Sequence, residues 1–258
     1  MNYQDLCALI NEFVEGSTLN KVEEAGIKKI YSLTLVGVAA ADDPLFLALK
    51  SPSVIGEHHL LPREWLPGAK AVISYYLPFS AEVREANREL GLPARKWLYG
   101  RIEGEEFNNA LRRHLVEEFV QKGARAVSPI LESRFSVVER RSNWSERHVA
   151  YIAGLGTFSL SKALITKKGC AGRFGSVIVA LPLEPIPREY TELYQYCNMC
   201  GGCIERCPSG AIKREGKIIA TCASYLETKI KPRFYPRYGC GKCQTNVPCE
   251  HKLPNLLL

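Results

Sequence analysis

No apolar run in this 258-residue chain approaches the ~20 residues that a membrane-spanning helix requires. The N-terminal stretch Met1-Asn2-Tyr3-Gln4-Asp5 carries an acid early and lacks the basic-then-apolar order of a secretory signal. The expectation is a soluble, cytoplasmic chain in a reducing compartment, with no membrane partner. Nucleotide motifs are missing too. There is no Walker loop, and Gly154-Leu155-Gly156 is neither G-x-G-x-x-G nor set in a strand–glycine–helix unit followed by an acid. The five histidines, His58, His59, His114, His148 and His251, include no H-x-x-x-H pair, so each is expected at the surface or capped in the core. Cysteine is scarce through the first three quarters, where only Cys7 and Cys170 occur.

The other eight of ten cysteines are crowded into the last quarter. Cys197-Asn198-Met199-Cys200-Gly201-Gly202-Cys203-Ile204-Glu205-Arg206-Cys207-Pro208 is the C-x2-C-x2-C-x3-C-P run of bacterial ferredoxins, whose fourth thiolate ligates the other cluster of a pair. A second block supplies Cys222, Cys240, Cys243 and Cys249. By that crossover, Cys197, Cys200, Cys203 and Cys249 hold one [4Fe–4S] cluster, and Cys207, Cys222, Cys240 and Cys243 the other. A zinc ribbon would leave four thiols over or need two zinc sites. Dense disulfides belong to small secreted domains. Electron transfer is therefore the expected task. The Cys243-x5-Cys249 spacing exceeds the usual three residues, and Glu250 stands where the ferredoxin motif has proline. Cys249 is thus the least regular ligand, and its loss alone is expected to be tolerated where water or another ligand fills in.

Hydrophobic content of 46% and charged content of 24% suit a chain with a real core, in one or two domains. The formal charge of +7 invites a nucleic-acid reading. Two clusters at about −2 each reduce it to about +3. The remaining cations are diffuse, with short groups at Arg112-Arg113, Arg140-Arg141, Lys167-Lys168 and Lys229 to Arg237 that read as solvated surface. They also suit docking of an acidic donor such as flavodoxin or ferredoxin.

The front of the chain reads as α+β. Leu6, Leu9, Ile10 and Phe13 make a helical stripe over residues 3–15 that stops at Gly16, with Cys7 a small buried neighbour. Ala69 to Leu77 is a strand between Pro67-Gly68 and Pro78. Phe107, Leu111, Leu115 and Phe119 share a face of a helix from Glu105 to Lys122, with Gly123 as its stop. Ser145 is placed to cap a short helix opening at Glu146. Two apolar strands, Ala163 to Thr166 and Phe174 to Leu181, flank a turn containing Cys170 and are expected to form a hairpin, with Cys170 incidental. The proline-rich stretch Pro182 to Pro187 reads as a linker, dividing residues 1–187 from a cysteine-rich domain at 188–258.

Several of these segments, taken in order, resemble the epoxyqueuosine reductases and their relatives, the reductive dehalogenases. The resemblance is carried by Leu66-Pro67-Gly68-Ala69-Lys70 through Pro78, Tyr99 to Phe107, and Glu146, Ala150 and Ala153-Gly154-Leu155-Gly156. It continues through Leu164-Ile165, Phe174-Gly175-Ser176-Val177-Ile178, Cys222 to Glu227 and Tyr238 to Gln244. It implies a nitroreductase-like α+β domain binding base-off cobalamin, followed by a ferredoxin-like domain with two [4Fe–4S] clusters. Electrons would pass through the clusters to cobalt for reduction of an organic substrate, making the chain an oxidoreductase. The histidine motif D-x-H-x-x-G that ligates cobalt in other cobalamin proteins is missing, in agreement. By the same resemblance, Gly154, Leu155, Gly156 and Arg140 are candidates for binding the cofactor.

Three departures bear on the substrate. The family's acidic proton donor, fourteen positions before the first glycine of the Gly-Leu-Gly turn, is Arg140 here. The Gly-Lys pair after the turn is Ser159-Leu160. The tRNA-contacting helical-repeat domain that follows the clusters in the family has no counterpart in this sequence. An arginine does not donate a proton near neutral pH, its pKa exceeding ~12. The expected substrate is therefore a small organic molecule rather than epoxyqueuosine in tRNA, and nucleic acid is not an expected partner. Glu139, Tyr99 and Tyr151 are the candidates for the acid, with charge pairing and core packing as their plainer roles. Arg140 and Arg141 are candidates for a carboxylate or phosphate. Two other readings stay open: a non-enzymatic electron carrier with two clusters, and a flavin enzyme on the nitroreductase-like fold.

Overall fold

The computed structural model describes residues 1–255. Helix α1 (Tyr3–Gly16) leads to strand β1 (Leu35–Ala40), short helices α2 (Pro44–Ala48) and α3 (Pro62–Trp65), and strand β2 (Ala71–Pro78). Helix α4 (Ala81–Ala86), the long α5 (Arg95–Gln121) and strand β3 (Ala126–Val127) follow. Next come strands β4 (Val137–Val138) and β5 (Arg141–Ser142), helix α6 (Glu146–Ile152), and strands β6 (Gly156–Phe158), β7 (Leu164–Thr166) and β8 (Gly172–Val179). The cysteine-rich segment has α7 (Gly202–Glu205), β9 (Ile212–Lys213), β10 (Gly216–Lys217), and α8 (Ile219–Tyr225), which continues through a π-helical turn (Leu226–Ile230) into α9 (Lys231–Phe234). Among the described residues no helix is long and apolar enough to cross a membrane.

An antiparallel sheet in the order β1-β2-β8-β3 forms the centre. Every residue of β2 is buried, which is why it reads as a continuous apolar run. Alternation along the strand separates two cores. Ala71, Ile73, Tyr75 and Leu77 pack with Leu6 and Ile10 of α1 and Phe107 and Leu111 of α5. Val72 packs on the opposite face with Trp144 and with Val149 and Ile152 of α6. The sheet is thus the middle of three layers.

Helix α5 begins ten residues before the expected Glu105, because Gly100 and Gly104 lie inside it. A side chain at 104 would meet the Tyr31 hydroxyl, so packing rather than a break accounts for that glycine. The expected hairpin of Ala163–Thr166 with Phe174–Leu181 does not form. β8 uses both its edges on β2 and β3, and β7 pairs with β6 instead. Pro182 to Pro187 has no regular structure, and the Ile186 amide donates to Val38 O at 2.8 Å.

Candidate functional site

The eight clustered thiols fall into two groups. Burial pushes the Cys203 thiol up to about 12, and the nearby thiols Cys243, Cys249, Cys197 and Cys200 add to the rise. Cys197, Cys200, Cys203 and Cys249 line one small cavity. Around the other group, burial takes Cys240 up to about 11, with Cys243 and Cys222 contributing, and Cys243 is raised by burial and by Cys222 and Cys207. Cys207 is shifted oppositely. Burial raises it, but donation from the Ser209 hydroxyl and the amides of Ser209, Ile212 and Ala211 brings it below the ordinary thiol value. Left-handed Gly201 and Gly241 open the turns that present these thiols, and a side chain at 241 would collide with the Trp97 ring at 2.0 Å.

Eight thiols gathered in two such groups, with ferredoxin-like spacing, supply the ligand number of two four-iron clusters. The donor set therefore fits iron–sulfur chemistry. Among the described residues no three His, Cys, Asp or Glu side chains converge tightly enough to share a single metal ion.

The cysteine-rich segment is fastened to α4 and the loop after it. Glu250, 2% exposed, bonds Arg84 Nη1 at 2.5 Å and Arg88 Nη2 at 3.0 Å, and accepts from the Asn246 amide at 2.6 Å. Lys242 is buried and donates through Nζ to Asn87 O at 3.2 Å and Glu89 O at 2.6 Å. Asn87 in turn donates to Cys240 O at 3.1 Å. The acid that replaces the ferredoxin proline is thus an anchor for the loop that carries Cys249. Cys170 is not incidental to that loop: its Sγ lies 3.7 Å from Cys249 Sγ.

The second thiol group opens onto a cavity of about 560 Å³ that reaches into the front of the chain. This falls within the range of about 300–1,000 Å³ typical of ligand pockets. Its far wall carries Phe135, Trp144, Glu146, Arg112, Arg173 and Phe174. Arg112, 1% exposed, bonds Glu105 Oε1 at 2.7 Å, Glu146 Oε1 at 3.3 Å and Phe174 O at 3.2 Å. Burial pushes the Glu146 carboxyl above the ordinary carboxylate range, against the opposing pull of Arg112 and the Ser176 hydroxyl. Glu146 Oε2, Arg112 Nε and Arg173 Nε are buried without a hydrogen-bond partner. The Glu146, Arg112 and Arg173 side chains line the cavity, but these three atoms face away from its accessible space.

The other proposed site residues lie elsewhere. Glu139 and Arg140 are exposed at the tip of the β4–β5 turn, at φ of 48° and 64°, and neither lines the cavity. Arg141 is occupied by Pro52 O and Ile55 O, both at 3.0 Å. Tyr99 is core, its ring lying 3.7 Å beneath the Arg237 guanidinium, and Tyr151 packs against Tyr190 and Phe158. Gly154 ends α6 at φ +84°, Leu155 is buried, and Gly156 abuts Ile165 in the β6–β7 pair, so packing explains all three. Ser145 does not cap α6; its hydroxyl pairs with His148 Nδ1 at 2.8 Å. His59 is fully buried with neither ring nitrogen hydrogen-bonded, unlike a surface or capped histidine.

Sequence reading missed Arg112 as a site residue by counting it with surface cations. The available signal was Asn108 and Arg112, two polar residues spaced i,i+4 beside the Phe107–Leu111–Leu115 stripe. Cys170 and Glu250 gave no comparable signal, since their partners are distant in sequence.

No family model matches the chain. It is 28% identical over 209 residues to epoxyqueuosine reductase of Bacillus subtilis, covering 74% of this chain and 50% of that protein. Identity to the Escherichia coli epoxyqueuosine reductase is 30% over 209 residues, covering 72% and 50%. The chain thus spans about half the length of the curated relatives it matches. A solved B. subtilis epoxyqueuosine reductase superposes with a TM-score of 0.55 at 22% identity, over 99% of this chain and 68% of that one. A reductive dehalogenase described in terms of B12-dependent dehalogenation gives 0.53 at 17%, over 86% and 30%. The chain is therefore a relative of the epoxyqueuosine reductases and shares its fold with them and with the reductive dehalogenases.

Proposed function

We propose that this chain is a cobalamin-dependent iron–sulfur reductase acting on a small organic substrate. The observation that carries the reading is the single cavity joining the Cys207, Cys222, Cys240 and Cys243 thiols to the buried Glu146–Arg112 pair. Cys197, Cys200, Cys203 and Cys249 hold the cluster that receives electrons from a flavodoxin- or ferredoxin-like donor, and the other four thiols hold the cluster that borders the cavity. Exposure supports this order: Cys200 is exposed, whereas Cys240 and Cys243 are not. Cobalamin bound in the cavity supplies the low-potential metal centre for the reductive step.

The remaining tasks fall to side chains. Phe135, Trp144 and Phe174 give the cavity an apolar wall that excludes water. Glu146, which lines the cavity and whose carboxyl burial pushes upward, takes the acid role that Arg140 leaves empty. Arg112, fixed by Glu105 and Phe174 O, orients the Glu146 carboxyl through Oε1.

The test is anaerobic reconstitution with iron and sulfide, followed by titration with cob(II)alamin. About eight irons per chain and a base-off Co(II) EPR signal support the reading. About eight irons without any corrinoid response leave a two-cluster electron carrier, and bound yellow flavin on purification would make it a flavoprotein.

A further inference from the structure

We propose that the cavity wall at Arg101 and Arg173 is an oxyanion subsite, so that the organic substrate carries a carboxylate or phosphate group. This rests on the reading of the cavity as the active site. Both side chains line the cavity, Arg101 from the second turn of α5 and Arg173 from the start of β8. Arg173 Nη2 donates to Arg101 O at 2.9 Å, which ties the two together.

Charge on this wall does not balance. The cavity is also lined by Arg112, Arg147 and Lys217, and its only carboxylates among the described residues are Glu105 and Glu146. Arg147 and Lys217 lie close enough to act on Cys243, and so offset the charge of the second cluster. Arg112 takes Glu105 Oε1 at 2.7 Å and Glu146 Oε1 at 3.3 Å. Arg173 is left with the other Glu105 oxygen, 3.8 Å from its Nε, and Arg101 has no ion-pair partner among the described residues. Three guanidiniums share two carboxylates, and the surplus falls on Arg101.

The Arg101 side chain is positioned but not capped. Its stem passes over Gly239, where a side chain would lie 2.3 Å from Arg101 Cδ, and its head lies 4.5 Å from the centroid of the Tyr238 ring. No Arg101 nitrogen is sealed off without a bond, unlike Arg112 Nε and Arg173 Nε, so its donors keep access to the cavity. Burial, and then the Arg173 charge, press its pKa below the ordinary guanidinium value. A bound oxyanion relieves both effects. The planar guanidinium fork suits a carboxylate or a phosphate. Trp97 stands one turn before Arg101 and Phe174 next to Arg173, and both line the cavity. The chemistry recognised is therefore an apolar body ending in an oxyanion.

Wild type is reconstituted anaerobically and dialysed to equilibrium against radiolabelled benzoate, with and without cob(II)alamin. Inorganic phosphate and benzamide, the neutral match in shape, serve as competitors. Saturable binding of about one benzoate per chain, displaced by phosphate and not by benzamide, is expected. R101Q should weaken benzoate by about 10–100-fold. R63Q, at an exposed ion pair outside the cavity, should change nothing. Cob(II)alamin affinity, read by EPR, should stay within about twofold of wild type in R101Q. An equal loss of cob(II)alamin affinity assigns the guanidinium to the cofactor's phosphate and overturns the proposal. Unchanged benzoate affinity in R101Q also overturns it, as does the absence of saturable benzoate and phosphate binding in wild type below about 10 mM. About eight irons per chain is the folding control. If R101Q lacks them, R101K, which keeps the charge and loses the planar fork, takes its place. Benzoate weakened severalfold in R101K then supports the proposal, and unchanged affinity overturns it. A corrinoid response without oxyanion binding sinks this inference alone. Oxyanion binding without a corrinoid response upholds the subsite and overturns the cobalamin reading.

Discussion

Glu250 Oε1 lies 2.5 Å from Arg84 Nη1 across the junction between the cysteine-rich segment and α4, with side-chain exposures of only 2% and 12%. Removing one partner of so enclosed an ion pair strands the other charge, which costs about 3–5 kcal/mol. Arg88, more exposed, shares the same carboxylate. E250A is expected to lower stability to urea by about 3 kcal/mol at neutral pH. Because Cys249 precedes Glu250, iron should be lost first from the first cluster. Urea titration followed at the cluster absorbance and by circular dichroism checks both parts. Unchanged urea resistance would show that the anchor contributes nothing.

Much of this architecture is legible in sequence because it depends on local period and spacing. The Cys197–Cys207 block, the α1 stripe and the buried β2 run each announce themselves within a short window. What escaped depends on pairing between distant segments. Strands β7 and β8 are adjacent apolar runs, and nothing local says that each prefers another partner. Gly154 and Gly156 read in sequence as a cofactor turn, and the structure gives each a packing reason as well, at the end of α6 and against the Ile165 backbone. Glu146 was visible as the first residue of a short helix and as one of the residues carrying the family resemblance, but not as a cavity residue. Its burial beside Arg112, 34 residues away, is a tertiary fact.

His59 carries a pH dependence. Burial, followed by the positive influence of His148, Lys50 and His58, holds its pKa down to about 4. In the unfolded chain the imidazole takes up its proton near 6.5, whereas the folded protein stays neutral there until about 4. Stability is therefore complete above pH 6.5 and falls as the pH drops towards 4. Between pH 7.5 and 5 the loss from this group is about 2 kcal/mol. His148 is also held near 4 by burial and by Arg147, so H59Q should remove roughly half of the slope. Urea midpoints measured across that range decide the matter, and an H59Q slope equal to wild type would refute the assignment.

Cys203 lies near Cys197, Cys200 and Cys249, and near Cys243 of the other group. C203A should accordingly lose about four of about eight irons while the cavity-side cluster survives. Iron near eight per chain in this variant would contradict the assignment of ligands. Corrinoid binding should persist in C203A, because the cavity is bordered by the other four thiols. Iron analysis and the cob(II)alamin titration, run on one preparation, separate the two effects.

Gly156 distinguishes a cofactor turn from a packing turn. A side chain there would lie 1.9 Å from Ile165 O, inside the β6–β7 pair, and Gly156 itself lines neither cavity. Relief requires the Gly156–Thr166 and Thr157–Ile165 pairing to open. Thr157 Oγ1 accepts from the Tyr196 amide at 2.8 Å, immediately before Cys197, so the strain is carried to the Cys197 thiol. Forced overpacking of this kind costs about 1–3 kcal/mol. G156A is expected to unfold at lower urea and to hold the first cluster less well, while corrinoid affinity in the folded fraction stays within about twofold of wild type. If G156A instead keeps wild-type stability and loses corrinoid binding alone, the glycine belongs to the cofactor site after all. The two outcomes are read from one urea curve and one EPR titration.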